Sequence, residues 1–228
     1  MFKNIKPLLL SFSFADVFED YATPVPAAQS LFHSCSKKRK GILPKTMQFI
    51  MQIIASPNVD PKQKDGALHM VGTLADVLLK KKMYRDNMEQ MLVTYIFPEF
   101  DSPHGHMRAR ACWVLHCFNE IQFTNVAVLG EIMRRTSNAL LTDTELPVKV
   151  EASIVLQMYL SSQEQAAQFL EPQIKPITME LLTIIRETEN DDLTSVMQKL
   201  VLTFTEQLTP IAVDICQHLA TTFSQVLE

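Results

Sequence analysis

Glycine is scarce in this sequence, with five residues in 228. Folds built from many tight β-turns need glycine where φ is positive, so this scarcity argues against an all-β fold. Apolar runs are also short, and none approaches the ~20 residues that a helix needs to cross a bilayer. Glycine-rich phosphate loops and recognisable catalytic constellations are missing as well. We therefore predict no membrane span, no catalytic residues and no cofactor.

Cysteine is sparse too, and its four residues lack the spacing of a disulfide framework. They lie within apolar patterns of helical period, at Cys35, Cys112, Cys117 and Cys216. This usage is typical of reduced thiols in the cytoplasm or the nucleus.

Two small histidine and cysteine groups could in principle hold a metal ion. Cys112 and His116 are spaced i, i+4 on one predicted helix, with Cys117 beside them. His104 and His106 flank a glycine in a predicted turn, without a further ligand nearby. We interpret the first group as packing residues and the second as a solvated turn, so the sequence predicts no metal site.

Charge is unevenly distributed along the chain. Residues 1–114 carry 15 basic and 10 acidic residues, whereas residues 115–228 carry 6 and 15, which gives net charges of +5 and −9. The second half either attracts basic partners or shows chance variation of solvated faces. The basic run at residues 36–40 is either a nuclear localisation signal or a solvated helix end whose cations suit the helix dipole, and we favour the helix end.

One stretch, residues 107–121, is apolar around most of a helix. Ala111, Val114, Leu115 and Phe118 fall at i, i+3, i+4 and i+7, and two cysteines and the single tryptophan widen this stripe. Such a helix must be covered on more than one side. We expect it in the middle of a stack.

Apolar periodicity and the positions of prolines predict helices along the whole chain. The predicted helix caps are Thr23, Asp60, Asn190 or Asp191, and Thr209. The predicted helices cover residues 7–21, 27–35, 43–55, 62–82, 84–97, 107–121, 125–141, 148–160, 163–170, 172–187, 193–208 and 209–227.

A short pattern recurs along these helices: a cation, an alanine three residues later, then an apolar run. The pairs are Lys64 and Ala67, Arg108 and Ala111, and Lys149 and Ala152, with Asp192 and Ser195 as a weaker fourth copy. The offsets of 44, 41 and 43 residues match the period of two-helix HEAT or armadillo units. The alanine lets neighbouring helices approach closely, and each pair needs the next pair to cover its apolar face.

The sequence therefore predicts an all-α HEAT/armadillo-type α-solenoid, with about four to five antiparallel helix pairs in a right-handed superhelix. We predict an N-terminal edge helix at residues 1–22, followed by the solenoid at residues 23–228. Its repeats are predicted at residues 42–82, 83–122, 125–161 and 163–208, with a terminal helix at 209–228. Neither end carries clear polar capping repeats, which predicts a piece of a longer solenoid.

Several stretches resemble one family. They are DGALHM (65–70), MRARACWVLH (107–116), PVKVEA (147–152), IIRETENDDL (184–193) and TPIAV (209–213). They resemble the middle HEAT repeats of the importin seven / importin eight branch of the importin-β superfamily, from about Asp16 to the end of the chain. The specificity comes from the length of the resemblance and not from a single diagnostic motif.

The resemblance implies a nuclear transport receptor that shuttles between cytoplasm and nucleus through the nuclear pore. Its implied partners are basic protein cargo such as ribosomal proteins and histones, phenylalanine-glycine nucleoporins, Ran-GTP and importin-β, without nucleic acid or membrane insertion. The family's N-terminal Ran-binding repeats and long acidic C-terminal region have no counterpart in this sequence. We therefore expect the Ran site outside this chain.

The best polar candidate for a binding site is the acidic stretch at residues 187–192. Its carboxylates are Glu187, Glu189, Asp191 and Asp192. They either cap a helix in a solvated loop, which we favour, or contact basic cargo, which is consistent with the −9 charge of the second half. The alternative function for the whole chain is a generic HEAT-repeat scaffold for protein interactions. Such a scaffold has the same stacked helix pairs but lacks the sequence stretches that resemble the importin family.

Overall fold

A computed structural model describes residues 24–188 and 190–226, apart from the side chains of residue 191 and residues 222–226. The predicted helix at residues 7–21, the edge helix assigned to residues 1–22 and the cap expected at Thr23 lie outside the described residues. Within the described ranges every regular element is helical and no strand occurs. None of these helices is both long and apolar enough to cross a membrane. The chain divides into two compact units, Met1–Gln122 and Phe123–Glu228, called here the first and second unit.

The first unit contains six α-helices among its described residues. They are α1 (Pro24–Lys38), α2 (Ile42–Ile54), α3 (Pro61–Thr73), α4 (Ala75–Lys80), α5 (Lys82–Met91) and α6 (Gly105–Cys117). A π-helical turn (Leu92–Ile96) and a 3-10 turn (Phe97–Asp101) continue α5 towards α6.

The described part of the second unit contains seven α-helices. They are α7 (Val126–Thr142), α8 (Leu146–Ser162), α9 (Ala166–Leu170), α10 (Ile174–Thr188), α11 (Asp191–Thr203), α12 (Thr205–Leu208) and α13 (Ala212–Val226). Single 3-10 turns at Glu171–Gln173 and Thr209–Ile211 lead into α10 and α13.

Helix pairs build the first unit. α2 packs against α3, the 3-10 turn after α5 packs against α6, and α3 packs against α6, so the second helices of successive pairs lie side by side. Ala67 and Ala111 lie in this interface with almost no exposed surface. Helix α6 is buried at seven positions along its length, which confirms that it is covered on more than one side.

The second unit repeats this arrangement. α7 pairs with α8, and α10 pairs with α11. Between the two pairs, the first helices α7 and α10 contact each other, and so do the second helices α8 and α11. Ala152 is fully buried on α8. Helix α13 packs against α10 and extends that row. The predicted all-α HEAT/armadillo-type fold is therefore confirmed, whereas the superhelix, its handedness and the repeat limits stay predictions.

Two predicted caps are confirmed. Asp60 accepts a hydrogen bond from the Lys62 amide at 3.3 Å, with Pro61 opening α3. Of the two caps left open before α11, Asn190 supplies the contact, because its Oδ1 accepts a hydrogen bond from the Asp192 amide at 2.9 Å.

The long helix predicted at residues 62–82 is wrong as a continuous element, because it breaks at Leu74 and again at Lys81. Gly72 and Thr73 precede the first break, and both have low helix propensity. The Thr73 hydroxyl also donates to the His69 carbonyl at 2.9 Å, which competes with the backbone bonds of the last turn.

The turn before α6 is irregular because of Pro98. Proline has no amide proton, and its ring crowds the carbonyl four residues earlier, so a regular α-helix cannot run through it. The Phe97 amide instead donates to the Leu92 carbonyl, five residues back, and a 3-10 turn follows. This turn places Glu99, which is buried, beside α3.

Candidate protein-interaction surface

The predicted acidic stretch forms the joint between α10 and α11, and residues 187–192 are called here the acidic loop. Glu187 is exposed on the last turn of α10, and Asp192 is half-buried at the start of α11. Glu189 and the side chain of Asp191 lie outside the described residues. The structure thus brings Glu187 and Asp192 to the two sides of a short joint.

The cap at this joint comes from an amide side chain and not from a carboxylate. Asn190 occupies the N-cap position, with φ −95° and ψ 116°, and binds the Asp192 amide. The acidic residues next to it add negative charge at the positive end of the α11 dipole, which is favourable there. Contact of Glu187, Glu189, Asp191 and Asp192 with basic cargo stays a prediction.

Two of the three repeated cations of the sequence pattern join one helix pair to the next. Lys64 on α3 forms an ion pair with Glu99 in the turn before α6. Lys149 on α8 forms the same kind of pair with Glu180 on α10, at 2.5 Å between Nζ and Oε1. The sequence revealed the cations through their spacing, but their acidic partners lie more than thirty residues away, where no motif marks them.

A second polar cluster lies between α3 and α6. Arg110 Nε donates to Asp65 Oδ1 at 2.7 Å, and the Arg110 guanidinium stacks on the Trp113 ring, 4.8 Å from its centroid. His69 meets the same ring edge-on, with centroids 4.9 Å apart. This stacking fixes the register between the two helices, because guanidinium and indole both require defined geometry.

Burial and the nearby Arg110 lower the pKa of His69 from 6.5 to about 4, against a smaller opposing effect of Asp65. His69 Nε2 pairs with the Gln29 side-chain amide on α1. A neutral imidazole can accept this amide hydrogen, so the lowered pKa and the hydrogen bond favour the same protonation state. The cluster is a structural joint of three helices.

The two histidine and cysteine groups singled out in the sequence lie on α6 and at its start. Cys112 is buried on α6, and burial lowers the pKa of His116. The rings of His104 and His106 lie 5.5 Å apart before and within the first turn of α6. In the part of the chain that the structure describes, no group of three potential ligands is placed to hold a metal ion.

Comparison with known proteins finds several relatives whose names contain the word importin. The chain is 48% identical over 213 residues to Importin-8 of Homo sapiens, which covers 93% of this chain and 20% of that protein. It is 31% identical over 220 residues to the Importin beta-like SAD2 homolog of Arabidopsis thaliana, covering 93% and 21%. It is 29% identical over 199 residues to the Probable importin-7 homolog of Dictyostelium discoideum, covering 84% and 18%.

The chain spans about a fifth of the length of these curated relatives. No protein-family model matches it, and no solved structure matches it significantly. Since 93% of the chain aligns with Importin-8, that alignment includes residues of both units. The chain belongs to the importin seven / importin eight branch of the importin-β superfamily.

Proposed function

We propose that this chain is a cargo-binding part of a nuclear import receptor and acts by binding and not by catalysis. The observation that carries the proposal is the 48% identity to Importin-8 over 93% of the chain. The fold supports it, since stacked helix pairs offer extended surfaces to protein partners. Cargo, nucleoporins and importin-β are the proposed partners, and the receptor shuttles between cytoplasm and nucleus under the control of Ran-GTP bound outside this chain.

The acidic loop is the proposed contact for basic cargo such as histones and ribosomal proteins. Glu187 is exposed, and the cap of α11 is supplied by Asn190, so the loop does not depend on a carboxylate for its cap. Clustered carboxylates attract a basic partner over a Debye length of about 8 Å at physiological salt. The interaction therefore weakens as salt rises.

A pull-down with the purified chain tests the proposal. Immobilised phenylalanine-glycine repeats and core histones should both retain the chain, whereas Ran loaded with a non-hydrolysable GTP analogue should not. Failure to bind phenylalanine-glycine repeats, with retention of other protein partners, would favour a generic HEAT-repeat scaffold.

Charge reversal tests the acidic loop separately. The variant carries Glu187→Lys, Glu189→Lys, Asp191→Lys and Asp192→Lys. We expect weaker histone binding with a flatter salt dependence, measured by anisotropy across a NaCl series. The matched control reverses four exposed carboxylates elsewhere in the second unit, namely Glu145, Glu164, Glu206 and Asp214.

An amide variant separates charge from helix stability. Glu187→Gln, Glu189→Gln, Asp191→Asn and Asp192→Asn remove the charge without placing cations at the α11 N-terminus, where they would oppose the dipole. We expect an intermediate loss of binding with an unchanged circular dichroism spectrum. Equal losses in the loop variant and in the control would show that only net charge matters.

A further inference from the structure

Two basic runs lie on the first unit, one at the end of α1 and one at the junction of α4 and α5. Their seven cations, called here the basic patch, are all exposed. They are Lys37, Lys38, Arg39, Lys40, Lys80, Lys81 and Lys82. The runs are 43 residues apart, which is one repeat period, so helix stacking brings them together.

The two runs converge on one carboxylate. Lys37 Nζ lies 3.8 Å and Lys80 Nζ lies 3.7 Å from Oδ2 of Asp76, so the two ammonium groups are at most 7.5 Å apart. His33 Nε2 lies 2.6 Å from the other oxygen, Oδ1. A carboxylate is thus held by three nitrogen groups at the centre of the patch.

One carboxylate does not balance seven cations. Among the acidic side chains that the structure describes, none forms an ion pair with Lys38, Arg39, Lys40, Lys81 or Lys82. Like charges this close repel one another, and the repulsion is screened only by salt. The arrangement is unfavourable without an anion.

Helix capping accounts for only part of the patch. Lys37 and Lys38 lie in the last turn of α1 and Lys80 in the last turn of α4, where cations suit the dipole. Lys82, in contrast, is the first residue of α5, where the dipole disfavours cations, and the first turn of α5 carries no acidic residue. Lys81 is both the C-cap of α4 and the N-cap of α5, so the two helix dipoles act on it in opposite directions. Lys82 therefore weakens its own helix, which points to a role outside folding.

We propose that the basic patch docks an acidic polypeptide segment of a partner protein, whose carboxylates occupy positions like that of Asp76. Met83, 70% exposed and directly after Lys82, supplies an apolar contact for a side chain of such a segment. A surface for single-stranded nucleic acid instead combines cations with exposed aromatic rings on which bases stack. The exposed neighbour here is aliphatic, so a polypeptide fits better.

Fluorescence anisotropy on the purified chain tests this inference. The probe is a fluorescein-labelled polypeptide of alternating glutamate and serine with one central leucine. The patch variant Lys38→Glu, Lys81→Glu and Lys82→Glu removes cations that form no ion pair in the described structure. We expect it to lower affinity roughly tenfold or more, because it replaces attraction by like-charge repulsion.

Two further variants make the test specific. Lys45→Glu, Lys62→Glu and Lys175→Glu change net charge equally at exposed positions outside the patch, and this control should change affinity less than about twofold. Asp76→Asn removes the internal competitor and should raise affinity. Equal losses in the patch variant and the control would overturn the proposal.

Competing ligands identify the class of partner. Oligouridine with the same number of charges and phosphatidylserine vesicles are measured beside the acidic polypeptide. We expect the polypeptide to bind most tightly. Oligouridine or vesicles could instead bind more tightly than the polypeptide and lose this binding in the patch variant. That result would overturn the assignment to a polypeptide and identify the tighter ligand as the class that the basic patch binds.

Discussion

The indole of Trp113 on α6 lies directly against Gly72 on α3, with no space for a side chain between them. A Cβ built on Gly72 would overlap Cζ3 of the ring and lie 2.7 Å from Cη2. The ring itself is held by the Arg110 guanidinium on one side and by the His69 ring at its edge. The two helices therefore approach closely because one of them lacks a side chain at the point of contact.

Gly72→Ala should destabilise the chain, although alanine is the better helix former. The methyl group forces the buried Trp113 out of its position, and such overpacking typically costs roughly 1–3 kcal/mol. Urea unfolding followed by circular dichroism measures the change.

Gly66 on the same helix provides the control. A Cβ there meets nothing within 4 Å, so Gly66→Ala should be neutral or stabilise by up to about 1 kcal/mol. In a chain that also carries Trp113→Leu, Gly72→Ala should lower the free energy of unfolding by less. Equal effects of the two glycine substitutions would show that the contact does not matter.

Acidification should weaken the fold through His69. Because its pKa is about 4 in the folded chain against 6.5 when unfolded, the unfolded chain binds the proton first as pH falls. Stability contributed by neutral His69 is present above pH 6.5 and is lost progressively towards pH 4. We expect the free energy of unfolding to fall over this window.

The free energy of unfolding of the His69→Gln variant should fall less steeply between pH 6.5 and pH 4 than that of the parent chain. Burial also lowers the pKa of His116, so this residue also reduces the free energy of unfolding as pH falls. The His116 effect remains in the His69→Gln variant. Exposed His104→Gln controls for the removal of one imidazole. Parallel pH profiles of the parent and the His69 variant would contradict the assignment.

The Lys149–Glu180 pair should contribute measurably to stability, since its side chains are only 18% and 27% exposed. A double-mutant cycle with Lys149→Met and Glu180→Gln should give a coupling energy of roughly 1–2 kcal/mol. The exposed Arg134–Glu131 pair, with Arg134 60% exposed, should give less than about 0.5 kcal/mol. Similar coupling energies for the two ion pairs would argue that Lys149–Glu180 does not stabilise the contact between neighbouring helix pairs.

Asn190→Ala should destabilise the second unit by about 1 kcal/mol, because it removes the hydrogen bond that caps α11. Asn138 lies exposed inside α7, where alanine is the better helix former, so Asn138→Ala should be neutral or slightly stabilising. Thermal unfolding compares the two. A neutral Asn190→Ala would mean that another group satisfies the Asp192 amide.

Local signals in the sequence predicted much of this fold. Asp60 before Pro61 and Asn190 before an apolar stripe act through residues only two positions away, so they could be recognised directly. The buried Ala67, Ala111 and Ala152 could be recognised because a repeated pattern marks a repeated environment.

Two of the predictions from local sequence were wrong. Ser195, the predicted counterpart of these alanines, is exposed. The buried positions of α11 are instead Leu193, Val196, Met197 and Leu200. Thr209 is not a cap, because it is already helical (φ −48°, ψ −42°) and its hydroxyl donates to the Thr205 carbonyl at 2.7 Å. Periodicity indicates which face is covered but not which helix covers it.

The same limit applies to the candidate surfaces. Both basic runs were visible in the sequence, yet their meeting at Asp76 depends on helix stacking across one repeat. Their 43-residue separation was the available signal, since residues one period apart occupy equivalent places on neighbouring helix pairs.

The π-helical turn at Leu92–Ile96 gives this chain a means of changing repeat length. Such a turn holds one residue more than the α-helical turn that it replaces. It lies within the longest of the three spacings between repeated motifs, the 44 residues that separate Lys64 from Arg108. The π-helical turn therefore holds its additional residue within the helical path, and Glu99 after it reaches Lys64 on the neighbouring pair.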